Sequence, residues 1–160
     1  MTIKIGDQFP SVTLKRLGAG GMEDVNTGDL MKGKRVVLFS VPGAFTPTCS
    51  AKHLPGFVNN HQALKAKGID AVACLSVNDA FVMDAWGKDQ HVEDKVLMLA
   101  DGNGEFTKAV GLSMDATGYG MGTRSQRYAM VVDDGVVKTL NVEAPGAFEV
   151  SSAESILKAL

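Results

Sequence analysis

Lys34-Arg35-Val36-Val37-Leu38-Phe39-Ser40-Val41-Pro42-Gly43-Ala44-Phe45-Thr46-Pro47-Thr48-Cys49-Ser50 is the stretch that decides how this chain folds. Lys34 to Val41 is nearly continuous in Val, Leu and Phe, which suits a strand buried on both faces. Helix-start signals follow. Thr46 is placed as an N-cap and Pro47 as the first helical residue, where its fixed φ and missing N–H do no harm. Cys49 then falls in the first helical turn. Unpaired N–H groups and the positive end of the helix dipole favour a thiolate there over a thiol. An unpaired cysteine is often only a packed core residue. The small, polar and turn-forming neighbours Gly43, Thr46, Pro47, Thr48 and Ser50 argue instead for a loop built as a site, with Cys49 as its nucleophile.

Before this stretch, Val12 to Lys15 and Met22 to Val25 read as two weak strands joined by a Gly-rich turn. After it, a helix is expected to run through His53, to be interrupted at Pro55-Gly56, and to resume over Phe57 to Lys67, as one kinked helix or two in series. Ile69 to Val77 is the next strand. Asn78 or Asp79 caps a helix over Phe81 to Trp86. Val96 to Ala100 is a third core strand, and Glu105 to Val110 a short helix. Gly111 to Gly122 is the longest irregular stretch. Tyr128 to Val132 and Val136 to Val142 flank the turn Asp133-Asp134-Gly135 as a hairpin. Ser151 or Ser152 caps a last helix, Ala153 to Leu160. This order of elements implies an α/β chain with a central mixed sheet flanked by helices, and it resembles the thioredoxin-like fold.

With 160 residues, 45% apolar and 21% charged, the chain reads as one globular domain over residues 1–160. Its net charge of −2 and the lack of any Lys/Arg run argue against nucleic acid or an anionic membrane as partner. The first residues hold no apolar stretch fit for a signal peptide and no segment fit to span a bilayer, so the cytoplasm is the expected compartment. Two cysteines, Cys49 and Cys74, are too few for a disulfide scaffold.

Thioredoxin-like redox proteins carry C-x-x-C where this chain has Thr46-Pro47-Thr48-Cys49. A hydroxyl replaces one thiol, so exchange through a local pair is excluded. A lone activated cysteine beside a hydroxyl suits attack on a peroxide. Pro42-x-x-x-Thr46-x-x-Cys49 has the spacing of the peroxiredoxin active site, and the string from Val41 to Gly56 resembles the peroxiredoxin-5 subfamily. Ala73 to Asp79, Phe81 to Trp86, and Arg124 to Met130 before Asp133-Asp134-Gly135 agree with it in register. The resemblance implies a thiol-dependent peroxidase with Cys49 as peroxidatic cysteine, Thr46 and Arg124 as its activating partners, and Pro42 shielding the sulfur. It also implies an oxygen site completed by backbone N–H groups of Gly43, Ala44, Phe45 and Thr48. No metal, flavin or nicotinamide is implied.

One departure shapes the expected chemistry. Where two-cysteine members of the subfamily carry a resolving cysteine, this chain reads Glu149-Val150-Ser151-Ser152. Cys74 lies in an apolar strand and reads as a packed core thiol. A one-cysteine enzyme is therefore expected, with glutathione and glutaredoxin, or thioredoxin, supplying the second thiol. Phe45, Phe81 and Trp86 are expected to gather at one surface and to pack a homodimer. Cys49 and His53, at i and i+4, make a weak metal pair, and His53 is better read as orienting the helix or the loop. Gly118-x-Gly120-x-Gly122 precedes a strand rather than opening a helix, so it reads as a mobile loop and not a phosphate cradle. The rival readings are a general thiol–disulfide oxidoreductase and a redox-sensing or holdase module.

Overall fold

The computed structural model describes residues 2–160. A seven-stranded sheet forms the centre, in the order β2-β1-β5-β4-β3-β8-β9. β1 (Thr13–Gly18) and β2 (Gly21–Asn26) are the antiparallel hairpin at one edge. β3 (Arg35–Ser40), β4 (Ala71–Ser76) and β5 (Leu97–Ala100) run parallel in the middle. The hairpin of β8 (Tyr128–Asp133) and β9 (Val136–Val142) closes the other edge, with β8 antiparallel to β3.

The unbroken apolar run of β3 is explained by burial on both of its faces. Val37 and Phe39 pack on one side with Leu54, Phe57, Leu64, Met83, Trp86 and Ile156. Val36 and Leu38 pack on the other with Met31, Phe106 and Val110. Helices α2 (Leu54–Asn59), α3 (His61–Ala66), α4 (Ala80–Asp89) and α6 (Ala153–Ala159) cover the first face; α1 (Thr27–Met31) and α5 (Glu105–Ala109) cover the second. The fold is the thioredoxin-like α/β plan with a central mixed sheet flanked by helices.

Local signals place most boundaries. Asp79 caps α4 by accepting from the Val82 N–H at 2.9 Å, and Ser152 caps α6 by accepting from the Ser155 N–H at 3.1 Å. Three details differ from the sequence reading. Helix α1 was not expected; Asn26 caps it through the Asp29 N–H. Pro55-Gly56 does not interrupt the helix. Cys49 to His53 forms a widened π-helical turn in which the Leu54 N–H reaches Cys49 O, and Pro55 follows inside the first turn of α2. The wider turn relieves the clash a proline ring makes with the carbonyl four residues back. The break comes at Asn60, between α2 and α3. Finally, the irregular stretch from Gly111 contains β6 (Ser113–Asp115), which pairs with β7 (Thr123–Ser125) in a separate two-stranded ribbon.

Trp86 also corrects an expectation. It is not part of an exposed aromatic group: its side chain is fully buried, and its Nε1–H donates to Ser50 Oγ at 3.0 Å. Phe45 and Phe81 are the exposed members, at 53% and 63%. Among the described residues, no helix is long and apolar enough to cross a membrane.

Candidate active site

The site lies where β3 ends and the next helical segment begins. That segment starts at Pro47, and Thr46 O accepts the Ser50 N–H at 3.0 Å, as an N-cap carbonyl does. The Thr46 side chain does not cap backbone. Its Oγ1 lies 2.6 Å from Gly43 O and 2.8 Å from Cys49 Sγ, so one hydroxyl proton serves two neighbours. Gly43 must be small for this to happen. A Cβ there would lie 3.1 Å from Thr46 Cγ2, Met121 Cε and Arg124 Nη1.

Cys49 is buried, and a second group reaches its sulfur. Arg127 Nη2–H donates to Sγ at 3.1 Å. Arg127 immediately precedes β8, whose Tyr128 pairs with Ser40 at the end of β3. The register of the sheet therefore delivers this guanidinium to the loop that carries Cys49. Arg124, expected at the sulfur, sits instead on β7 opposite Met114. Its Nε–H donates to Met121 O at 3.0 Å and its Nη1–H to Pro42 O at 3.4 Å. Arg124 thus braces the backbone around the site, and Arg127 takes the position beside the thiol.

His53 connects this centre to the C-terminal part of the chain. Its Nδ1 lies 2.8 Å from Arg127 Nη1 and its Nε2 lies 2.9 Å from Ser151 O. A guanidinium can only donate, so Nδ1 must be the acceptor; the ring proton is on Nε2 and donates to Ser151 O. Burial, followed by the charge of Arg127, holds the imidazole neutral and lowers its pKa to about 3. Both ring nitrogens are engaged, which leaves no lone pair for the metal pairing of Cys49 with His53. Rings of Phe39, Phe57 and Phe148 surround the imidazole, with centroids 4.9, 5.7 and 5.0 Å away.

The backbone of the loop is partly committed. Ala44 N–H donates to Asn78 Oδ1 at 3.0 Å and Thr46 N–H to Gly43 O at 3.4 Å, so Ala44 does not offer the free donor expected of it. Phe45 turns outward in the left-handed region, with φ of 62°. A cavity of about 450 Å³ opens over the site, lined by Pro42, Thr46, Thr48 and Arg127 on the chemical side and by Met114, Ala116, Tyr119 and Met121 facing them. Gly43, Ala44 and Phe45 do not line it.

Cys74 stands mid-strand in β4, beside Phe39 of β3 and Met98 of β5, and is fully buried. Burial pushes its thiol pKa well up.

Comparisons with known proteins agree with this geometry. The Redoxin family model matches residues 4–157. The chain is 54% identical to peroxiredoxin-2E, chloroplastic, of Arabidopsis thaliana, over 99% of this chain and 70% of that protein. A crystal structure of reduced Prx3 in complex with H2O2 from Vibrio vulnificus superimposes with a TM-score of 0.95 at 58% identity, covering 99% of each chain. Peroxiredoxin 5 from Alvinella pompejana superimposes with a TM-score of 0.87 at 35% identity, over 98% of this chain and 97% of that one. With a thiol held by a hydroxyl and a guanidinium at the N-terminal end of the helical segment after β3, this chain belongs to the redoxin family and is a peroxiredoxin, a thiol-dependent peroxidase.

Proposed function

We propose that the protein is a one-cysteine peroxiredoxin of the peroxiredoxin-5 subfamily that reduces hydrogen peroxide and small organic hydroperoxides through Cys49. The convergence of Thr46 Oγ1 and Arg127 Nη2 on Cys49 Sγ, at 2.8 and 3.1 Å, carries the reading. A donor-only cation beside the sulfur favours the thiolate, the form that attacks. The thiolate takes the terminal peroxide oxygen as the O–O bond breaks, that oxygen's proton passes to the departing one, and water or an alcohol leaves. Cys49 is thereby oxidised to a sulfenate, which takes a proton from solvent to become the sulfenic acid. Thr46 can accept the peroxide O–H while its own proton rests on Gly43 O. Arg127 can shift a donor toward the departing oxygen as charge moves onto it.

The cavity supports the wider substrate range. At about 450 Å³ it is many times the roughly 30 Å³ share of a water-sized molecule. Its Met114, Met121 and Tyr119 wall suits the carbon chain of an organic hydroperoxide.

The resolving thiol comes from outside. Ser151 stands in the region where a second reactive cysteine would lie, and its hydroxyl donates to Glu143 Oε2 at 2.6 Å. Cys74 is fully buried, in the middle of a strand. A second thiol condenses with the sulfenic acid, water leaves, and a further thiol releases Cys49 by exchange. Glutathione with glutaredoxin, or thioredoxin, fits that role. Turnover with each couple, in wild type and Cys74→Ser, tests the reading: Cys74→Ser keeps most activity. A Cys49–Cys74 disulfide found by peptide mapping after one equivalent of peroxide would overturn it.

The exposed Phe45 and Phe81 support a homodimer, since apolar rings of this size gain by leaving water. Sedimentation of the reduced protein at tens of micromolar is expected to give the dimer mass. A monomer alone contradicts it.

A further inference from the structure

The loop from Glu143 to Ser151 is tied to one carboxylate. Glu143 is 7% exposed and stands one residue beyond β9, where its own N–H donates to Arg127 O at 2.9 Å. Its side chain accepts from four donors of the same loop. The Glu149, Val150 and Ser151 N–H groups donate to Oε2 at 2.9, 2.9 and 2.8 Å, and the Ser151 hydroxyl donates to that oxygen as well. The Glu149 N–H also reaches Oε1 at 3.0 Å. Burial alone would raise this carboxyl, but the Ser151 hydroxyl and the three main-chain donors outweigh it and leave its pKa lowered. A carboxylate so engaged fixes the loop in one conformation.

What the loop then touches is the guanidinium beside the thiol. Ser151 O takes the His53 Nε2 proton, which leaves Nδ1 as acceptor for Arg127. Phe148, midway along the loop, lies under the Arg127 guanidinium at 5.8 Å and against the His53 ring. The segment that Glu143 closes therefore holds the Arg127 guanidinium in two ways, directly through Phe148 and through Ser151 by way of His53. We propose that Glu143 is a positioning residue for peroxide reduction: it closes the 143–151 loop so that Ser151, His53 and Phe148 set the Arg127 guanidinium against Cys49 Sγ. The proposal rests on the reading that Arg127 serves Cys49.

Glu143→Gln keeps the size of the side chain but removes the charge that the four donors share; with its carbonyl at the Oε2 site its NH2 meets the Glu149 N–H, so the loop must shift. A displacement of about 1 Å at Arg127 corresponds to a loss of roughly tenfold or more in the second-order rate of peroxide reduction. Circular dichroism stays native. Glu143→Asp, which retains charge and both acceptors, recovers part of the rate. The deciding arm is a double-mutant cycle with Arg127→Lys, in which Glu143→Gln adds less than about twofold, because it acts only through that guanidinium. Ser151→Ala leaves all three main-chain bonds in place and keeps the fold; it loses about two- to threefold, again only when Arg127 is present. The proposal is overturned if Glu143→Gln and Ser151→Ala match wild type while Arg127→Lys does not, or if their losses persist undiminished in Arg127→Lys. If Arg127→Lys itself matches wild type, the underlying reading of Arg127 fails together with it.

Discussion

At the scale of single residues, Thr46 shows how much one hydroxyl can do when its proton has two possible acceptors. Gly43 O and Cys49 Sγ compete for it at 2.6 and 2.8 Å, so the group can donate to the sulfur or present a lone pair toward it. Either role needs the oxygen and neither needs the methyl. Thr46→Val keeps the shape and removes the oxygen. It is expected to lower the second-order peroxide rate by about a hundredfold, the scale of losing one donor or acceptor at a reacting oxygen. Thr46→Ser should stay within several-fold of wild type. Stopped-flow consumption of peroxide checks both; a valine variant as fast as wild type would remove Thr46 from the chemistry.

At the scale of elements, the π-helical turn from Cys49 to His53 carries both the thiol and the imidazole that orients Arg127. His53 gives the segment a pH dependence. Its pKa is lowered in the folded protein to about 3 from 6.5, so between those values the unfolded chain takes up a proton that the folded one refuses. The stabilisation is complete above about pH 6.5 and is lost as pH falls toward about 3, with a slope approaching 1.4 kcal/mol per pH unit. Chemical denaturation from about pH 6.5 down to about 5, above the carboxylate range, should show the wild type losing stability faster than His53→Gln. Parallel pH profiles in the two proteins would show that His53 does not bear this burial.

The same scale explains what was legible in the sequence. The strand–loop–helix start at Lys34 to Ser50 announces itself because apolar periodicity, N-cap chemistry and Pro47 are all local signals. Thr46 and Cys49 are only three residues apart, so one turn brings them together. Arg124 and Arg127 are also three apart, and that spacing is where local reading fails. Both guanidiniums reach the thiol loop, Arg124 at Pro42 O and Arg127 at Cys49 Sγ, and nothing local says which of the two meets the sulfur. Which one depends on β7 leaving the main sheet to pair with β6, and on Tyr128 pairing with Ser40. The Glu143–Ser151 contact has no sequence signature either, since it follows from how the chain turns after β9. The π-helical turn is hidden for another reason: Pro55 signals a disturbance but not which side of it absorbs the strain.

At the scale of the whole molecule, the fold is a device for bringing residues 78 apart into contact. β3 leads into the thiol loop on one side, β8 begins at Tyr128 beside Arg127 on the other, and antiparallel pairing of the two strands fixes the distance between them. The β8–β9 hairpin continues into the loop that reaches back to His53, so one sheet edge organises sulfur, cation and imidazole together. On this geometry Arg127, and not Arg124, is the guanidinium beside Cys49. The most direct test is the second-order rate of peroxide reduction in Arg127→Ala and Arg124→Ala, measured side by side in folded protein. Arg127→Ala is expected to lose about a hundredfold or more, as a donor to the reacting oxygen goes together with the charge at the sulfur. Arg124→Ala should lose less than about tenfold, because among the described residues its hydrogen bonds go to the carbonyls of Met121 and Pro42 and not to the sulfur. The reverse order of losses would give the role at the sulfur to Arg124 instead.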